Sequence, residues 1–289
     1  MKFKTILLAF LSISVIACED VIDVDLDQGE VLYVTDAFIT NESTTQTIKL
    51  SKTAPYFQSQ TVPPLEGAQV TVTGSDGTTY PFVETAPGSY TWTPSFGDAM
   101  DSIGVTYNLE IGYNGERFIS SSVLNPVPPI DTITFEFEEA GMGQDEDGYV
   151  AEFQATDLSN RKDFYWIKAF KNNRRVGDPG SFSVSENGAF GGTNADGTVF
   201  ILPVRIFFIN SDTLYQLGQS VRVEVWSINE EISEFFSAVE AQTNNGGLFA
   251  VPAANVYGNI FDANGEPQKR MLGAFSISAV SKRTEIVRE

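Results

Sequence analysis

The 289-residue sequence has no histidine, a single cysteine, and only 18 lysines and arginines against 38 aspartates and glutamates, a net charge of −20. Without histidine there is no Ser-His-Asp or Cys-His nucleophile system, no His-ligated zinc or copper, and no access to the commonest general base. One cysteine excludes an intramolecular disulfide. The shortage of basic residues excludes nucleic-acid binding, which needs a positive footprint; the nearest thing to one is the C-terminal trio Lys282, Arg283 and Arg288. No glycine-rich loop stands between a strand and a helix to cradle a phosphate. No apolar run reaches the roughly 20 residues of a membrane-spanning helix, and the apolar segment 200–209 carries Pro203 and Arg205. What remains is carboxylate chemistry of the glycosidase kind, which needs two carboxyl groups held in one cleft. With 38 acidic residues the sequence does not locate such a pair. The expectation is a protein that is not an enzyme and uses neither cofactor nor metal.

What is present begins with Lys2 and Lys4, an apolar run from Ile6 to Ala17, and Cys18. This is the layout of a cleaved secretory signal, and Val15-Ile16-Ala17-Cys18 resembles a bacterial lipobox. The expectation is a signal peptide over 1–17 and lipidation of Cys18, which would tie the chain to a lipid bilayer through more than one acyl chain. Residues 18–30 then form an acidic tether. Asp23-x-Asp25-x-Asp27 opens like a calcium loop, but that loop wants Gly at its sixth position and Glu at its twelfth. Those positions hold Gln28 and Val34. Acidic residues directly after the cysteine also resemble the surface-export signals of Bacteroidota lipoproteins.

From Val31 onward apolar residues alternate with a period near two, and β-branched and aromatic side chains dominate, so strands are expected. They fall near 31–39, 45–50, 68–73, 79–84, 89–93, 106–111 and 117–122, joined by hairpin dipeptides such as Asp76-Gly77 and Asn114-Gly115. This spacing predicts a β-sandwich over 31–127, and its Gly67 to Tyr90 portion resembles transthyretin-like and immunoglobulin-like modules. Pro126-Val127-Pro128-Pro129 cannot sit in a central strand and marks a boundary. The second unit, 128–289, is expected to be a larger β-sandwich. Its strands lie near 131–137, 149–156, 164–170, 200–209, 220–228, 256–261 and 272–281. One helix is expected at 230–242, where Ile232, Phe235, Phe236 and Val239 share a face. The fold class is therefore mainly β, in two sandwiches.

Two long polar loops, 140–148 with Asp145, Glu146 and Asp147, and 177–197 with Gly191, Gly192 and Asp196, are the candidate binding surfaces. Trp166 and Trp226 lie inside strand runs and read as core, while Trp92 can face either way.

Cys18-Glu19-Asp20 with Ile22-Asp23, Val31 to Thr40, Gly67-Ala68-Gln69-Val70 and Gly88-Ser89-Tyr90 carry a resemblance that extends through Tyr107 to Ile111 and Pro128-Pro129-Ile130-Asp131. Asn255 to Ile260 and Leu272-Gly273-Ala274-Phe275 complete it. Over nearly its whole length beyond residue 17 the sequence resembles the Bacteroidota lipoprotein family known as domain of unknown function 4249. It departs at Asp36-Ala37, where such proteins often show Glu-Gly. The resemblance lends no catalytic signature. It implies an outer-membrane, cell-surface lipoprotein that partners a TonB-dependent receptor in nutrient uptake, with a small molecule, peptide or glycan as ligand. Two alternatives stand beside it: a carbohydrate-binding or carbohydrate-cleaving surface protein, and a structural envelope lipoprotein.

Overall fold

Strands form at the expected runs other than 200–209, and turn residues fix where they stop. The computed structural model describes residues 30–54, 62–141, 146–178, 180–190, 195–210, 214–245, 252, 254–266 and 270–288. The signal, Cys18 and the tether up to residue 29 lie outside the described residues. The first seven strands are β1 (Tyr33–Thr40), β2 (Gln46–Lys52), β3 (Gln69–Gly74), β4 (Thr79–Ala86), β5 (Ser89–Trp92), β6 (Thr106–Tyr113) and β7 (Glu116–Val123). In β6, Tyr107, Leu109 and Ile111 point into a core while Asn108 and Glu110 are exposed. Asn114 and Gly115 both take positive φ, 50° and 82°, the turn that matches hairpin twist. It starts the β6–β7 register at Tyr113↔Glu116.

These strands do not make the expected sandwich. Their sheet closes into a barrel of order β1-β15-β14-β7-β6-β3-β4-β5-β2, completed by β14 (Tyr257–Asp262) and β15 (Arg270–Ser278) from the far end of the chain. β15 runs parallel to β1, from Val34↔Leu272 to Thr40↔Ser278. The reason is edge pairing: segment 31–127 alone leaves β1 and β7 with unpaired backbone groups, and closure removes both edges. Ile39, Leu50, Val72, Leu109 and Phe275 fill the barrel interior.

Where β14 and β15 meet β1, only glycine fits. Gly273 has φ 86°, and a Cβ there would lie 1.8 Å from the Thr35 carbonyl oxygen; a Cβ on Gly258 would lie 2.2 Å from that of Gly273. The β14–β15 register slips at this point. The buried Asn259 side chain replaces the missing ladder bonds, donating to the Phe275 carbonyl and accepting the Phe275 N–H, both at 2.9 Å.

After Pro126–Pro129 the chain forms a hairpin of β8 (Ile130–Glu138) and β9 (Gly148–Ala155). A second sheet follows, made of β10 (Phe164–Lys171), β11 (Arg174–Arg175), β12 (Val184–Glu186), β13 (Ser220–Ile228) and β16 (Val280–Ile286). Its order is β11-β10-β13-β16, with β12 also pairing to β10. A core of Phe153, Tyr165, Phe200, Val223 and Val225 lies between hairpin and sheet. The strand expected at 200–209 is instead a short helix, α1 (Leu202–Phe207), that buries Val204. Pro203 explains this, because it cannot donate to a ladder but is tolerated in the first helical turn.

The expected helix at 230–242 is α2 (Glu230–Thr243). It buries Ile232 and Phe236 against Trp166 and Ile228 of the second sheet and Ala274 of the barrel. Val31–Glu289 forms one compact unit that contains all three cores. Among the described residues no helix is long and apolar enough to cross a membrane.

Candidate functional site

Strand alternation gives the second sheet two unlike faces. Tyr165, Ile167 and Ala169 of β10 and Val221, Val223 and Val225 of β13 face the hairpin core. The other face carries the register pairs Trp166↔Trp226, Lys168↔Glu224 and Phe170↔Arg222. Lys168 is 8% exposed, and its Nζ lies 3.4 Å from the Trp166 ring centroid and 3.1 Å from that of Trp226. Its cross-strand neighbour Glu224 is engaged elsewhere: Oε2 accepts the Trp226 Nε1–H at 3.0 Å and Oε1 accepts the Arg222 Nε–H at 2.9 Å. Burial pushes the Lys168 amine down to about 6, with Arg175 adding to the fall and Glu224 and Asp36 opposing it. A lysine held this way is costly to the fold, since a buried charge needs a partner. Such groups cluster at functional sites.

The outer edge of β10 is covered in two pieces. β12 pairs with Phe164 to Trp166, and β11 pairs with Phe170 and Lys171. Between them the chain leaves at the Val176 N–H to Ala169 carbonyl bond and returns at the Ile167 N–H to Ser183 carbonyl bond. The gap is a cleft of about 470 Å3 with Lys168 and Arg175 in its wall, within the roughly 300–1,000 Å3 of small-molecule sites. Phe182, Phe190, Phe207 and Phe208 form the apolar side. Phe190 and Phe208 meet edge to face at 5.7 Å, and Phe190 and Phe207 are 44% and 67% exposed. Phe182 stacks on Phe236 of α2 at 4.1 Å. Its N–H donates to the Glu240 carboxylate at 2.5 Å, so α2 fixes this wall.

A second concavity, a groove of about 660 Å3, runs over the outside of the barrel. Asn108, Glu110, Ser120 and Glu231 give it polar walls, and Ile119 and Phe261, 41% and 48% exposed, give it apolar ones. The Ser120 hydroxyl is buried without a hydrogen-bond partner. The Glu110 carboxylate is held by Arg117 at 2.7 and 3.0 Å, which keeps it below the usual carboxylate range.

Of the six loop residues singled out from the sequence, Glu146, Asp147 and Asp196 are described. Asp145, Gly191 and Gly192 lie outside the described residues. Glu146 is exposed. The Asp147 carboxylate accepts the Ala140 N–H at 2.6 Å and closes the β8–β9 connection. Asp196 accepts the N–H groups of Asn160 and Arg161 at 3.0 and 3.3 Å, pinning one loop to another. A buried carboxylate pair does exist in Asp157 and Asp163, but neither lines the cleft or the groove. Asp157 is bonded to Tyr165 Oη and the Gly197 N–H, and Asp163 to Arg161. Burial pushes the Asp163 carboxyl up, against the pull of Arg161. The 177–197 segment does contribute, through Phe182 and Phe190. Lys168 and Arg175 were not legible as a site, although a lysine two residues after a tryptophan in an apolar strand was the available signal. No group of three or more acidic or thiol side chains able to hold a metal occurs among the described residues.

A search of curated proteins returns no match. The family model described as "Domain of unknown function (DUF4249)" matches residues 19–284.

Proposed function

Since the chain belongs to the DUF4249 family, which has no activity to lend, we propose that it is an outer-membrane lipoprotein, anchored through Cys18 and exposed at the cell surface. In this reading it captures a small ligand for a TonB-dependent receptor. One observation carries the capture role: the cleft beside β10, lined by Lys168 and Arg175 together with four phenylalanines, in a chain of net charge −20. The anchor and the receptor follow from the lipobox-like N-terminus and from the family resemblance. Native affinity purification of the tagged full chain from outer membranes tests the reading. A β-barrel receptor recovered in fixed ratio supports it, and recovery of the lipoprotein alone counts against the partnership.

The barrel groove favours a second reading, carbohydrate binding. Exposed Phe261 beside Asn108, Ser121 and Glu231 offers one stacking surface and several hydroxyl partners. Titration with neutral oligosaccharides, with Phe261→Ala as control, decides it: saturable binding lost in the variant supports a sugar site, and no binding removes it.

A further inference from the structure

We propose that the cleft beside β10 takes an amphipathic organic anion, a carboxylate on an apolar body, with its charged group between Lys168 and Arg175 and its body along Phe182, Phe190, Phe207 and Phe208. This deepens, and rests on, the reading of that cleft as the ligand site.

The cleft's lining is chemically mixed. Four phenylalanines contribute to it, and two of their rings, Phe190 and Phe207, are open to solvent. Lys168 and Arg175 also line it, with the Arg175 guanidinium carbon 5.5 Å from the centroid of the Trp166 ring that the Lys168 amine contacts. Among the described residues, one of the five donors of the Arg175 guanidinium is directed to the Ser181 carbonyl at 3.3 Å. Two acids share the wall. Glu240 is taken up by the Phe182 N–H, and Asp178 sits at the exposed lip.

A neutral ligand would leave the exposed Arg175 guanidinium without a counter-charge, and a cation would repel it. A carboxylate pairs with the guanidinium, its planar oxygens suiting the fork, and favours a proton on the nearby Lys168 amine. A simple inorganic anion would leave the phenylalanines wet. Size agrees, because about 470 Å3 holds a small organic molecule.

The geometry also implies proton linkage. The groups facing Lys168 are Glu224 on β13, Arg175 on β11 and Asp36 on β1. Burial favours the neutral amine, and an anion alongside favours the ammonium. Near pH 7 the cleft should therefore take up a proton as the anion enters.

The test uses Val31–Glu289, the compact unit that contains the three cores, with decanoate and uncharged decanol as probes. Calorimetry at pH 7 in two buffers of different ionisation enthalpy gives affinity and protons exchanged. The expected result is decanoate binding at least tenfold tighter than decanol, with uptake approaching one proton. Arg175→Gln should cost decanoate tenfold or more and leave decanol unchanged, and Lys168→Met should abolish the proton uptake. Equal affinity for both probes, blocked in Ser181→Trp, overturns the anion assignment but keeps the cleft as a ligand site. Binding that Ser181→Trp leaves intact, or none at all, overturns both.

Discussion

Replacing Lys168 by Met should remove a pH dependence of stability that the wild-type chain shows between pH 7 and 9. The amine falls from its ordinary 10.5 to about 6 in the folded protein, chiefly because burial disfavours the ammonium. Between those values the unfolded chain binds a proton that the folded chain does not, so stability rises with pH at about 1.4 kcal/mol per unit. Over two units that is about 3 kcal/mol. The opposing effect is attraction of the ammonium to the indole faces of Trp166 and Trp226, at about 0.5 to 2 kcal/mol each. The full shift corresponds to about 6 kcal/mol, so burial wins, and whatever the indoles recover shortens the window from its low-pH end. The chain suits this measurement because it has no histidine to titrate nearby. Urea unfolding of Val31–Glu289 and its Lys168→Met variant at pH 7, 8 and 9 gives the difference directly. A difference that stays flat would mean that the indole pair keeps the amine charged, and the reasoning about burial would be refuted.

Gly273→Ala should prevent barrel closure, because the new methyl would meet the Thr35 carbonyl on a backbone of positive φ; circular dichroism and gel filtration would show loss of the compact fold, and a folded variant would contradict the geometry. Asn259→Ala orphans one buried N–H and one buried carbonyl of Phe275 and should destabilise by about 2 to 6 kcal/mol in denaturant titration. Glu84, whose carboxyl is lowered by bonds from the Gly67 and Gly88 N–H groups, favours the fold above its unfolded value and loses that contribution as acid protonates it. Glu84→Gln should therefore flatten the acid limb of the stability curve. Mass spectrometry of the membrane-extracted protein should find an N-terminal Cys18 carrying acyl chains, and an unmodified N-terminus elsewhere would remove the anchor.

Local elements were legible and long-range pairing was not. The period-two runs of β3 and β6 and the helical spacing of Ile232, Phe235 and Phe236 act within a few residues, and the structure keeps them. Barrel closure depends on β1 meeting β15 in parallel, a pairing of Val34 with Leu272 that no nearby residue encodes. The pieces around Gly258 and Gly273 mark that junction, where a Cβ on either glycine would meet backbone. α1 was misread because its apolar content suited a strand, and Pro203 carried more weight than the composition did. The candidate site lay hidden for a related reason. Trp166 and Lys168 gain meaning only when Trp226 and Glu224 are set opposite them, and a register between distant strands does not show in either strand alone.

The claim at the centre of this account is that the cleft beside β10 is where the protein holds its ligand. Native mass spectrometry of the full chain, gently extracted from the cells that make it, tests it most directly when wild type and Ser181→Trp are compared. The account predicts a small organic acid bound one to one in the wild type and missing from the variant, and the same adduct on both proteins, or on neither, would contradict it.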